Sequence, residues 1–135
     1  WAMSEQADKK VETEVKQVEK KGEDYSATLL AHVGPQREPV HLMMVADGHG
    51  GPEAAQLCST SLLDAIARSA TSATPDEISR AMRACFLSMH RTICETGTTS
   101  GAAVTCIAIV PATSWLIAAN VGDVVSSLCP CIARL

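Results

Sequence analysis

An apolar run, Val40 to Val45, ends at Ala46-Asp47-Gly48-His49-Gly50-Gly51, and this junction constrains the fold more than any other stretch. A short, nearly continuous apolar run (Val40, Leu42, Met43, Met44, Val45) bounded by glycine reads as a strand buried on both faces. The strand is expected to stop at the Asp47 carboxylate. The glycines that follow let the backbone take positive φ and approach a ligand closely. Such an end suits a metal or phosphate site, and it is equally an ordinary Asp-Gly turn that enters a helix.

The segments on either side fall into alternating strands and helices. Glu23-Asp24 is expected to start a strand through Tyr25, Ala27, Leu29 and Ala31, and Gly34-Pro35 begins the turn back into Val40. Pro52 sits at a first helical position, where its missing N–H costs nothing, and Ala54, Cys58, Leu62, Ala65 and Ile66 share one face of a helix ending near Ser69. After a Ser/Thr/Ala linker, Thr74-Pro75-Asp76-Glu77 reads as a capping box. Ile78, Ala81, Met82, Cys85, Phe86, Met89 and Ile93 then recur at three and four. Arg80, Arg83 and Arg91 on the other side read as a solvated face in preference to a phosphate patch. Strands are expected over Gly101 to Val110 and Trp115 to Val121, the second returning antiparallel and ending at Gly122-Asp123.

At 135 residues the chain is one domain at most. A net charge of −4 argues against nucleic acid or an anionic membrane as the main partner. All five lysines fall within the first 21 residues, interleaved with Glu5, Asp8, Glu12, Glu14 and Glu19, so residues 1–19 read as a charge-mixed, solvated arm. No apolar run approaches the roughly 18 residues that span a bilayer, and no apolar signal core precedes the domain, which leads to the expectation of an intracellular protein, cytoplasmic or nuclear. Six irregularly spaced cysteines read as reduced thiols.

The strand order brings Glu23 and Asp24 near Asp47. Three carboxylates together repel unless a cation lies among them, and hard oxygen donors favour Mg²⁺ or Mn²⁺. The same two residues also read as the end of the charged arm.

Four segments carry a resemblance. Asp47-Gly48-His49-Gly50-Gly51, Ser100-Gly101-Ala102-Ala103-Val104-Thr105 and Ala119-Asn120-Val121-Gly122-Asp123, preceded by Lys20-Lys21-Gly22-Glu23-Asp24-Tyr25, closely resemble in order and spacing the motifs of the metal-dependent protein serine/threonine phosphatases of type 2C. The resemblance covers roughly residues 20–123. It implies an α+β fold, part of an α-β-β-α sandwich of two antiparallel sheets flanked by helix pairs, with two Mg²⁺ or Mn²⁺ ions at one end. It assigns Asp47 as the bridging ligand and the Gly48 carbonyl as a second ligand. Glu23 and Asp24 would contribute through metal-bound waters, and Asp123 would serve an additional metal. Lys20 or Lys21 would grip the substrate phosphate, and His49 would hand a proton to the departing oxygen. The implied reaction is hydrolysis of phosphoserine and phosphothreonine proteins by metal-activated water.

The chain departs from the family after Asp123. Residues 124–135 diverge, and the two aspartates that the second half of the family domain supplies have no counterpart, so the chain reads as the N-terminal half of the domain, truncated. A non-catalytic interaction protein is the alternative, with self-association through an exposed sheet edge. A zinc or thiol protein built on Cys129-Pro130-Cys131 is the third and weakest reading.

Overall fold

The computed structural model describes Glu14 and residues 22–127. Two strands, β1 (Tyr25–Val33) and β2 (Glu38–His49), are followed by two helices, α1 (Glu53–Ser69) and α2 (Pro75–Glu95), and then by β3 (Gly101–Val110) and β4 (Trp115–Val121). The strands form one antiparallel sheet in the order β1-β2-β3-β4. The fold is α+β, as expected, and the described residues comprise one sheet layer and one helix pair. Among them, no helix is long and apolar enough to cross a membrane.

Alternation along β2 decides which side the helices cover. Val40, Leu42, Met44, Ala46 and Gly48 are buried, whereas Val45, Asp47 and His49 between them are exposed. Period-two packing of this kind corrects the expectation of a strand buried on both faces. The run is continuously apolar because its second face also carries large side chains, and the described residues leave that face uncovered. Leu30, Val45 and Leu116 lie there, 53%, 47% and 44% exposed. Register aligns Leu30 and Leu116 in one row: Leu30 opposite His41, His41 opposite Ile109, Ile109 opposite Leu116.

The helices fill the other side. Cys58, Leu62, Leu63 and Ile66 of α1 meet Ile78, Ala81, Met82 and Cys85 of α2 and the even-numbered residues of β2 and β3 in one core. Each large side chain buried there stabilises by about 1.5–3 kcal/mol relative to its exposed state. Burial pushes the thiols of Cys58 and Cys85 up, and that of Cys106 to about 12, so these cysteines stay neutral and act as small apolar groups.

Two helix starts differ from expectation. Pro52 is the residue before α1, not its first member, and β2 runs on through Asp47-Gly48-His49, leaving only residues 50–52 to make the turn. Thr74 does precede α2, with Pro75 at its first position, but no side-chain capping bond forms. Glu77 instead accepts from the Thr71 backbone N–H at 2.9 Å and from Arg80 through both Nε (2.8 Å) and Nη2 (2.6 Å). Arg80 also donates to the Ser69 carbonyl at 3.0 Å. A two-pronged charge-assisted pair outcompetes a reach back to the Thr74 N–H, and it ties the last turn of α1 to the first of α2.

Candidate metal and phosphate site at one end of the sheet

The C-terminal end of β2 lies between the start of β3 and the approach to β1. Asp47 pairs with Ala103, Gly48 with Ala102 and His49 with Gly101. Tyr25 pairs with Ala46, so the chain before β1 runs alongside Asp47 and Gly48. Asp47 and His49 share the uncovered face by alternation, and Gly48 faces the helices.

Gly48 is where only glycine fits. A Cβ there would run into the Glu23 carbonyl oxygen and sit 3.2 Å from the Ala55 Cβ, so the absent side chain lets the approach to β1, the end of β2 and the start of α1 close on one point. The Glu23 side chain then turns to the loop, and its Oε1 accepts the Gly51 N–H at 2.9 Å.

Gly101 has the same relation to His49. A Cβ at position 101 would collide with Nε2 of the His49 ring, so the imidazole lies across the bare glycine at the start of β3. This contact holds an exposed histidine one alternation away from Asp47, on the same side of the strand.

Ser100 carries a role that the linear order conceals. Its buried hydroxyl accepts the Ala54 N–H at 3.0 Å and thereby caps α1 from the far side of the helix pair. Thr98 Oγ1 donates to the Ser100 hydroxyl at 3.1 Å and accepts the Ser100 N–H at 3.1 Å. A serine ahead of β3 signals a cap in composition only, since its partner lies 46 positions away. With the N–H groups of Gly51 and Ala54 both bonded to protein oxygens, the start of α1 loses two of the donors that a phosphate cradle would use.

The remaining acidic residue, Asp123, follows Gly122, whose backbone lies against Ala103, the residue paired with Asp47. At about 4.8 Å per strand, that places the chain at Gly122 roughly 10 Å from Asp47, with β3 between them. Ser126 beyond it donates to the Asn120 Oδ1 at 2.9 Å, and Thr105 donates to the same oxygen at 3.1 Å. Glu23, Asp24, Asp47 and Asp123 therefore lie at one end of the sheet. Among the described residues, no three His, Cys, Asp or Glu side chains converge into a group that would hold a metal ion. Lys20, Lys21, Cys129 and Cys131 lie outside the described residues.

Comparison with known proteins adds a family. The model of the family described as protein phosphatase 2C matches residues 8–130. No curated protein matches. Among solved structures, one described as the structure of a C. elegans sex determining protein is similar at 19% identity and a TM-score of 0.45, covering 64% of this chain and 26% of its own.

Proposed function

The chain belongs to the protein phosphatase 2C family, and from that premise we propose that it carries the first half of a site that dephosphorylates phosphoserine and phosphothreonine proteins. The observation that supports this most is the juxtaposition at one sheet end: Asp47 at the tip of β2, Glu23 and Asp24 running alongside it, and a Gly48 that admits no side chain.

The donors fit a hard cation in kind. Carboxylates and a backbone carbonyl select Mg²⁺ or Mn²⁺ over softer ions, and the candidate acidic residues Glu23, Asp24, Asp47 and Asp123 lie at one end. In number they fall short, so ligands from a further segment or a second chain complete the set. Asp47 and the Gly48 carbonyl would hold the ion directly, with Glu23 and Asp24 behind intervening waters and Asp123 toward an additional ion. When bound, a metal pair supplies activated water and neutralises charge on the phosphoryl oxygens.

The chain's own residues orient that chemistry. Asp47 projects from a strand fixed by pairing on both sides. Glu23 is held by Gly51, so it contributes from a set position. His49, kept over Gly101, is the group assigned to proton transfer to the departing oxygen. Lys20 or Lys21 is assigned to the substrate phosphate.

The test is Mn²⁺-dependent hydrolysis of a phosphothreonine peptide by the purified chain, with Asp47→Asn as control. Turnover that requires Mn²⁺ and vanishes in the mutant supports the reading. A second reading, a non-catalytic interaction protein, draws on the apolar face around Leu30, Val45 and Leu116, uncovered among the described residues, and on β1 and β4 as the edge strands of the described sheet. Absence of turnover in a chain that circular dichroism shows to be folded would favour it.

A further inference from the structure

Four residues apart on α2, His90 and Cys94 are both exposed and lie on one side of the helix, with the Cys94 Sγ 3.8 Å from the His90 Nε2. Cys94 is the one exposed thiol among the described cysteines; Cys58, Cys85 and Cys106 are buried. An imidazole and a thiol are the two side chains that borderline divalent ions prefer. Zinc bonds of about 2.3 Å to sulfur and about 2.0–2.1 Å to nitrogen, opened at the tetrahedral angle, separate the two donors by about 3.5 Å. The pair already stands within about 0.3 Å of that bite, a difference that a small side-chain rotation removes.

We infer that His90 and Cys94 form a two-donor chelate on the surface of α2 that takes zinc or a similar borderline divalent ion. The chemistry is separate from that of the sheet end, where all donors are hard oxygens. Binding replaces the thiol proton, which leaves to solvent, and the thiolate and the neutral imidazole each give one bond to the ion. Two coordination positions stay open to water or to a donor from another molecule. The ion is therefore exchangeable, unlike one in a closed four-ligand structural site.

The full chain titrated with Co²⁺, followed by displacement with Zn²⁺, tests the assignment, because a sulfur-to-metal charge-transfer band reports thiolate ligation and is silent for oxygen donors. The wild type is expected to develop the band and to lose it to Zn²⁺. Cys94→Ser should abolish it. His90→Ala should weaken binding by at least the roughly tenfold that even an outer partner of a ligand is worth. The Cys129→Ser/Cys131→Ser double variant should keep it, and circular dichroism should be unchanged throughout because both chelating residues are exposed. No band in the wild type, a band at full strength in either single variant, or one lost only in the double variant would overturn the inference.

Discussion

The Ser100 hydroxyl accepts the backbone N–H of Ala54 at 3.0 Å, so the residue before β3 caps a helix through a residue 46 positions earlier. Ser100→Ala would leave that buried N–H without a partner, at a cost of about 1–2 kcal/mol. Urea unfolding of the two proteins should show the shift as a lower midpoint with an unchanged slope. Ser100→Thr, which keeps the acceptor, should lose less.

Alanine at two glycines should act unequally. At position 48 the obstacle is the Glu23 backbone carbonyl, which cannot step aside without moving the approach to β1. At position 101 it is the tip of the exposed His49 ring, which can swing away. Gly48→Ala should therefore destabilise by about 1–3 kcal/mol or prevent folding, and Gly101→Ala should leave thermal unfolding nearly unchanged while altering the His49 imidazole resonance. Equal losses of stability would contradict this account.

Acid should loosen the junction of the two helices. Hydrogen bonds from Arg80, and then from Thr71, hold the Glu77 carboxyl well below its ordinary 4.5. A carboxyl lowered in the folded chain stabilises it above the ordinary value, and the contribution fades as pH falls below that value toward the folded one. Glu77→Gln should flatten the acid limb of a stability-against-pH curve, and a parallel limb in the variant would place the acid sensitivity elsewhere.

Thiol reactivity should divide by burial. Brief alkylation of the native chain, mapped by peptide mass, should modify Cys94 well before Cys58, Cys85 or Cys106. The Cys106 thiol, pushed up to about 12 by burial, also sets an alkaline limit: unfolded, it ionises near the ordinary 9.0, so stability should fall as pH rises between those values.

Strand and helix identities were legible because hydrophobic period carries them. The alternation of Val104, Cys106, Ala108 and Val110 and the three-four spacing of Ile78 to Ile93 both describe the faces that pack. Boundaries followed where a local rule had no competitor and slipped where it had one. The spacing Thr74-Pro75-Asp76-Glu77 predicts Glu77 as a cap partner, but Arg80 one turn on offers two charged donors. The sequence predicts that the strand ends at Asp47, yet pairing with β3 carries it to His49. The acidic residues of the candidate site could be named from the motifs. The Ser100 cap could not, because nothing near Ser100 in the sequence points to Ala54.

The pairing of β2 with β3 has a kinetic side. The two strands are joined by the whole of α1 and α2, so their ladder can close only after that long loop has paid its entropy. The end that closes is the one where His49 meets Gly101 and Asp47 meets Ala103. The hairpin of β1 and β2 is local and can form early, whereas the candidate site waits for the helical pair to dock. Substitutions in the core of α1 and α2 should then slow the assembly of the site even when they touch none of its residues.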